Sequence, residues 1–252
     1  MYEQQLPGYT TAFKDAPWGT RDSAHYRFHY FKNSLAEKEI EKIVEVQERA
    51  YQQIVAFLEL PSVDGKISYY LYPDAETKEK LMGTPWFAQS IYNDFAVHTL
   101  YTEKDRVIGP HEDAHLLSLP LGLSIGFLQE GFAERMVGHD WYGNDFADVV
   151  KEAFTNERFV ISPDLLTSHD AWIATNDDLA RQYYALAALF SEYLLNNFGK
   201  ERYLLLYKTL QRKSAPQENE RAYQEILGIN SQESWEQFLE NIRGSSPIAS
   251  NV

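Results

Sequence analysis

Residues 111–115 read His-Glu-Asp-Ala-His, a pattern whose side chains can bind a metal and move protons. On an α-helix, residues four apart lie on one face, so His111 and His115 can converge on one ion. Glu112 then lies beside that ion and can act as the general base that deprotonates a water attacking a carbonyl. Pro110 lacks a backbone donor, which a helix tolerates in its first turn. We therefore predict that the motif opens its helix.

A second helix supplies candidates for the remaining ligand, because a catalytic zinc takes three protein ligands and keeps one position open. The chain contains no cysteine, which restricts metal ligands to His, Asp and Glu. Residues 127–137 read as a helix that carries Glu130 and Glu134 at an i, i+4 spacing. We predict that Glu130 completes the site of one Zn²⁺ ion and that Glu134 accepts a hydrogen bond from a ligating histidine. The alternative for Glu134 is a surface carboxylate paired with Arg135 or a lysine.

Hydrophobic periodicity predicts the elements that must position these residues. Alternation predicts strands at residues 25–31 and 66–72. Two further runs at residues 88–92 and 95–101, which flank Asn93 and Asp94, predict a hairpin. Helical spacing with capping residues predicts a long amphipathic helix at residues 34–58 and a short one at 74–83. After about residue 106 the patterns are helical and are interrupted at glycines and prolines. These patterns indicate an α+β fold.

The same patterns divide the chain into four segments. We expect an irregular arm at residues 1–23, where Pro and Gly occur without periodicity, and an α+β subdomain at residues 24–118 that ends with the motif helix. A helical subdomain is expected at residues 119–243. The small, polar residues 244–252 are expected to form a frayed tail.

Composition and charge exclude several functional classes. A hydrophobic content of 44% supports a real core, which argues against a disordered chain. The net charge of -14 repels phosphate backbones, so we expect no nucleic-acid partner. We also expect no membrane span, because no apolar run approaches the roughly 20 residues that a bilayer crossing needs. A soluble protein is expected, either cytoplasmic or exported after loss of a leader.

At these residues the sequence resembles the gluzincin branch of zinc metallopeptidases, and most closely the peptidase MA-like domains. In that branch the third ligand opens a Glu-Gly-x-Ala phrase on a following helix, matched here by residues 130–133. The likeness covers about residues 24–242. One departure is the connection at residues 116–129, which is shorter than in thermolysin and the large aminopeptidases but similar to the MA-like domains. The resemblance implies a zincin-like fold with the metal in a cleft between the two halves.

The resemblance also implies a second catalytic residue. Residues 184–199 look like the family's helix that begins with a tyrosine and ends at a Phe-Gly stop. In the family this tyrosine stabilises the oxyanion of the tetrahedral intermediate, which fits a donor aimed at developing charge. Tyr184 matches that position, and the adjacent Tyr183 is the alternative. His98 is expected on an edge strand before the metal helix, where substrate contact is possible.

The sequence leaves three functions open. The leading hypothesis is a zinc-dependent peptidase that acts on peptide or protein substrates. The Gly-Ala-Met-Glu-Asn phrase with which the large aminopeptidases hold a substrate amino terminus is absent, which favours an endopeptidase over an aminopeptidase. A zincin-like binding module without catalysis is the third reading. The intact base at Glu112 argues against that module.

Overall fold

The computed structural model describes residues 11–60 and 65–244 and divides into two compact units, Met1–Ser118 and Leu119–Val252. Described strands lie in the first unit, and the described part of the second unit is helical. The predicted α+β class, with a small mixed sheet followed by a helical half, is confirmed. The predicted frayed tail lies outside the described residues except for Gly244, which ends a helix.

The N-terminal unit contains strands and helices, of which β2–β5, α4 and α5 lie where the sequence predicted them. Its described strands are β1 (Trp18–Asp22), β2 (Tyr26–Phe31), β3 (Ile67–Tyr72), β4 (Ala88–Ile91) and β5 (Ala96–Leu100). Its described helices are α1 (Thr11–Lys14), α2 (Leu35–Lys38), α3 (Ile40–Leu58), α4 (Ala75–Met82) and α5 (Pro110–Leu117). Asp74 caps α4 through the backbone N–H of Thr77, and Gly83 ends it in the left-handed conformation, as the sequence predicted.

The five strands form one mixed sheet in the order β1-β2-β3-β5-β4. The central pairs β2 with β3 and β3 with β5 are parallel, whereas β1 with β2 and β4 with β5 are antiparallel. The predicted hairpin of β4 and β5 is confirmed. Strand β4 is therefore one edge of the sheet, and β5 lies inside it.

Two sequence predictions in this unit were wrong. The arm at residues 1–23 is not irregular throughout, because Trp18–Asp22 pair with β2 as an edge strand and Gly19 lies opposite Tyr30. An edge strand is paired on one side only and therefore tolerates proline and glycine. Pro17 and Gly19 were for this reason wrongly taken as signs of irregular structure. The predicted helix at residues 34–58 is interrupted at Glu39, whose carboxylate accepts hydrogen bonds from two residues remote in sequence, Tyr101 and Arg106.

The two faces of the sheet carry different side chains. Helix α3 packs against α5 on one face, and α5 also contacts β4 and β5. The other face carries a ladder in which the Tyr70 ring stacks between His29 at 4.3 Å and His98 at 4.5 Å. The ladder runs across β2, β3 and β5 because these three residues are partners in the parallel register.

The described part of the C-terminal unit is built around one long helix. Its helices are α6 (Gly126–Val137), α7 (Phe146–Ala153), α8 (His169–Ile173), α9 (Ala180–Thr209), α10 (Pro216–Leu227) and α11 (Ser231–Gly244). Helix α9 is kinked at Gly199, where φ is 81° and the sequence predicted a stop. Helices α6 and α9 pack along each other, with Phe127 against Phe190 and Phe132 against Tyr207. None of the described helices combines the length with the apolar composition that a bilayer crossing needs.

Candidate metal centre

Helix α5 begins at Pro110, as predicted, and presents both histidines of the motif on one face. His115 is buried and His111 is half-buried. Their Nε2 atoms lie 3.2 Å apart, and their rings are nearly perpendicular at a centroid distance of 4.9 Å. Two nitrogens bound at about 2.0–2.1 Å to a tetrahedral zinc lie about 3.3 Å apart. The two imidazoles therefore have the separation that a shared ion requires.

The start of α5 is held by a glutamine from α3. Gly109 precedes the helix with φ at 125°, a conformation that favours glycine. The side chain of Gln47 accepts a hydrogen bond from the Gly109 N–H at 2.6 Å and donates one to the Gly109 carbonyl at 3.3 Å. Since no side chain caps α5 directly, Gln47 fixes the backbone from which His111 projects.

A buried carboxyl group on α5 extends this network. Asp113 accepts hydrogen bonds from Tyr26 at 2.6 Å and from Gln47 at 2.9 Å. Burial raises the pKa of Asp113 to about 8 and outweighs the two hydrogen bonds, which act in the opposite direction. Burial and then the charge of Asp113 raise the pKa of Tyr26 well above its ordinary value. Tyr26, Gln47 and Asp113 form a polar clamp that ties α5 to β2 and α3.

The candidate general base is held from β4. Glu112 is half-buried, and its Oε2 accepts a hydrogen bond from the hydroxyl of Ser90 at 2.5 Å. The Ser90 hydroxyl also lies 3.0 Å from the backbone carbonyl oxygen of Glu112. The base is therefore fixed within the same unit as the two histidines.

Glu130 lies on α6, and the glycine that follows it permits a close helix contact. A Cβ added at Gly131 would lie 2.4 Å from the carbonyl oxygen of Ala187 and 2.5 Å from the hydroxyl of Ser191, both on α9. Backbone at that distance cannot move aside cheaply, so only glycine fits. The segment before α6 is also tied to the end of α9, through the Ile125 N–H and the Leu210 carbonyl at 3.2 Å. These contacts fix the helix that carries the predicted third ligand.

His111, His115 and Glu130 form a group that could hold a metal ion. Each offers one ligand atom, and these atoms all lie within 4.8 Å of one another. A set of two imidazoles and one carboxylate is a known donor set of catalytic zinc and leaves a fourth position open. The donor types are those that catalytic zinc uses, so this part of the sequence prediction is supported at the level of a possible metal site.

Glu134 is not a surface carboxylate, which was the alternative to its predicted role as a partner of a ligating histidine. Its side chain is 2% exposed, and its Oε1 accepts a hydrogen bond from the indole N–H of Trp141 at 3.3 Å. Burial of a carboxylate at this position is consistent with an internal hydrogen-bonding role. Its predicted contact with a ligating histidine stays a prediction.

The two candidate tyrosines have different surroundings. Tyr183 is buried, and its hydroxyl donates a hydrogen bond to the Val160 carbonyl at 2.8 Å. Tyr184 is half-buried, and its ring contacts Trp141 at 5.6 Å and Trp172 at 5.4 Å. Trp141 thus touches both Glu134 and Tyr184. The hydrogen bond of the Tyr183 hydroxyl to Val160 favours Tyr184 as the candidate, and a catalytic role of either tyrosine stays a prediction.

Trp141 belongs to a loop that one buried carboxylate organises. Asp140 accepts hydrogen bonds from the backbone N–H groups of Tyr142 at 3.0 Å and Asn144 at 2.6 Å, and pairs with Arg181 at 2.5 Å. Burial opposes ionisation here, yet these hydrogen bonds lower the pKa of Asp140. The loop therefore holds Trp141 in place although that side chain is 53% exposed.

His98 does not occupy the predicted edge. It lies on β5, between β3 and β4, and is fully buried. Its Nδ1 lies 2.9 Å from the Tyr72 hydroxyl, and its ring stacks on Tyr70. The expectation of substrate contact was wrong, because the hairpin folds β4 over the outer side of β5 and makes β4 the edge.

Sequence patterns missed the residues that fix the motif. Ser90 is separated from Glu112 by 22 positions, Gln47 from Asp113 by 66, and Tyr26 from Asp113 by 87. No local periodicity encodes such contacts. The one available signal was Gln47, a polar residue at a buried position of the otherwise apolar stripe of α3.

Comparison of the sequence with known proteins identified no related protein. The sequence matches no family model, and no curated protein matches it. The possible metal group on α5 and α6 therefore stands on its own residues.

Proposed function

We propose that this chain is a zinc-dependent peptidase, and more specifically an endopeptidase. The observation that carries the proposal is the group of His111, His115 and Glu130, whose ligand atoms lie within 4.8 Å of one another. The carboxylate of Glu112 adjoins this group in sequence and is held by Ser90. A metal donor set with a positioned carboxylate beside it is an arrangement used in metal-assisted hydrolysis of carbonyl compounds.

When bound, a zinc ion would supply Lewis-acid polarisation of the scissile carbonyl and would favour ionisation of water near neutral pH. Under this proposal Glu112 takes the proton from the attacking water and then delivers it to the leaving amine. His111, His115 and Glu130 hold the ion, and Glu134 orients a histidine from its buried position. Tyr184 donates a hydrogen bond to the oxygen on which negative charge develops.

Removal of the base tests the proposal directly. We expect Glu112→Gln to lower turnover of a cleaved peptide by about 10²–10⁴-fold while zinc stays bound, since the amide keeps the shape and loses the basicity. Glu76→Gln, on the exposed face of α4, is the matched control and should leave turnover unchanged. Full activity of zinc-loaded Glu112→Gln would overturn the mechanism.

Blocked peptides separate the two peptidase classes. An endopeptidase cleaves an N-terminally acetylated peptide as well as the free one, whereas an aminopeptidase requires the free amino group. We expect cleavage of the acetylated peptide at an internal bond, identified by mass spectrometry of the products. If single residues are released from the free peptide and the acetylated peptide stays intact, the aminopeptidase is favoured.

Metal analysis separates the enzyme from a non-catalytic binding module. We expect about one equivalent of zinc after gentle purification and loss of activity on chelation that added zinc reverses. Less than about half an equivalent, with no gain of activity on adding zinc, would favour the binding module.

A further inference from the structure

We propose that Ser90 is a positioning residue that fixes the carboxylate of Glu112 for its role as general base, an inference that rests on the proposed peptidase function. The contact that motivates it joins β4 to the metal helix. The Ser90 hydroxyl lies 2.5 Å from Glu112 Oε2 and 3.0 Å from the Glu112 carbonyl oxygen. Since the hydroxyl has one proton, the nearer carboxylate oxygen is its acceptor.

Ser90 is the sole hydrogen-bond partner of this carboxylate among residues 11–60 and 65–244. A glutamate side chain has three rotatable bonds, so a half-buried carboxylate at the start of a helix adopts several rotamers unless a partner selects one. The hydrogen bond to Oε2 selects an orientation and leaves Oε1 as the oxygen that can receive a proton. Ser90 therefore acts on the geometry of Glu112.

The backbone of β4 makes Ser90 a rigid anchor. Ser90 lies opposite Val97 in the antiparallel pair of β4 with β5, and its neighbours in the strand are paired on either side. The position of the Ser90 hydroxyl oxygen depends on a single side-chain torsion, χ1, so it has little freedom once the strand is in register. Pre-organised partners of this kind are what hold a catalytic group within the narrow geometry that proton transfer needs.

The strand also offers an internal contrast. Gln89, the preceding residue, points to the opposite face of the sheet, where its amide oxygen binds Lys78 at 3.1 Å and Thr84 at 2.5 Å. A change at Gln89 disturbs the same strand without touching Glu112. The two neighbours therefore separate an effect on the base from an effect on the edge strand.

Kinetics of Ser90 variants test the inference. We expect Ser90→Ala to lower kcat about tenfold, as loss of one hydrogen bond to a charged group implies, with KM changed by less than about twofold. Ser90→Thr keeps the hydroxyl and should restore kcat to within about threefold of the wild type. Gln89→Ala should leave kcat within about twofold. Unchanged kcat in Ser90→Ala, or equal losses in the alanine and threonine variants, would overturn the inference.

A double variant tests whether Ser90 acts through Glu112. In a Glu112→Gln background, Ser90→Ala should have no further effect on the residual rate, because the group that it orients is gone. A further tenfold loss there would overturn the positioning role. Crystal structures of the metal-free proteins test the same point without zinc. Glu112 should occupy one rotamer in the wild type and several in Ser90→Ala. A single unchanged rotamer in both would also overturn it.

The same measurements separate failure of this inference from failure of the proposed function. Wild-type protein that carries one zinc and cleaves no peptide would overturn the peptidase proposal and this inference together. Wild-type protein that cleaves peptide, with a fully active Ser90→Ala, would overturn the positioning role alone.

Discussion

The two helices that carry the predicted metal ligands are held in place by different physical means. Helix α5, with His111 and His115, is fixed by hydrogen bonds from Gln47 to the Gly109 backbone and to Asp113. Helix α6, with Glu130, is fixed by close packing of backbone against backbone. Helix α5 therefore depends on buried polar partners, whereas α6 depends on the absence of a side chain at Gly131.

The two means fail in different ways. A buried hydrogen-bond network tolerates changes in shape, but each lost partner leaves a polar group without compensation in a low-dielectric interior. A close backbone contact has no polar group to orphan, but it tolerates no added atom.

Gly131→Ala should have the largest effect, because its Cβ would lie 2.4 Å from the Ala187 carbonyl oxygen. We expect a loss of about 3 kcal/mol in the free energy of unfolding and weaker zinc binding, since α6 must shift. Chemical denaturation and zinc titration measure the two effects. The matched control is Gly138→Ala at the end of the same helix, where nothing lies within 4 Å and only the positive φ costs about 1 kcal/mol. Equal losses in the two variants would contradict the close-packing account.

Tyr184→Phe should come next and should act on turnover rather than stability. Loss of one donor to a developing oxyanion lowers kcat by about a hundredfold. Tyr183→Phe is the control, since its hydroxyl binds the Val160 carbonyl, and it should cost about 1 kcal/mol of stability with kcat unchanged. Steady-state kinetics with thermal unfolding resolve the pair. A reversal, with the kcat loss in Tyr183→Phe, would remove Tyr184 from the proposed mechanism.

Gln47→Ala should cost about 2 kcal/mol in the free energy of unfolding, because the Gly109 N–H and the Asp113 carboxyl both lose a buried partner. Zinc affinity should fall as well, since the start of α5 loosens. Gln53→Ala, exposed on the same helix, is the control and should change stability by less than about 0.5 kcal/mol. If zinc affinity survives in Gln47→Ala, the clamp does not position His111.

The smallest effect concerns acid sensitivity of the N-terminal unit. Burial, followed by the charge of Arg27, lowers the pKa of His29 from 6.5 to about 4. His29 therefore becomes protonated near pH 6.5 in the unfolded chain but only near pH 4 in the folded chain. Because the unfolded state binds the proton first, this residue lowers the free energy of unfolding as pH decreases across that interval. His29→Phe keeps a ring against Tyr70 and should reduce the drop in Tm between pH 7 and pH 4.5 by a few degrees. Identical drops in wild type and variant would contradict this assignment.

Short-range physics explains what could be predicted from the sequence. The start of α5 at Pro110 and the placement of His111 and His115 on one face follow from chain geometry within a single turn. The hairpin of β4 and β5 follows from two short runs that flank a turn, and the caps of α4 follow from local hydrogen bonds. Each of these features depends on neighbours within a few residues, which the sequence shows directly.

Contacts between distant segments were decided only by the tertiary structure. The order β1-β2-β3-β5-β4 places β4 at the edge and buries His98, an order that the predicted hairpin alone does not fix. The Ser90 contact with Glu112 and the Gln47 contact with Gly109 join elements that no periodic pattern connects. The sequence identified the candidate metal ligands His111, His115 and Glu130 and the candidate base Glu112, because residue type and helical spacing are visible along the chain. Tertiary packing determined how those residues are held, because that depends on which surfaces meet after the chain has folded.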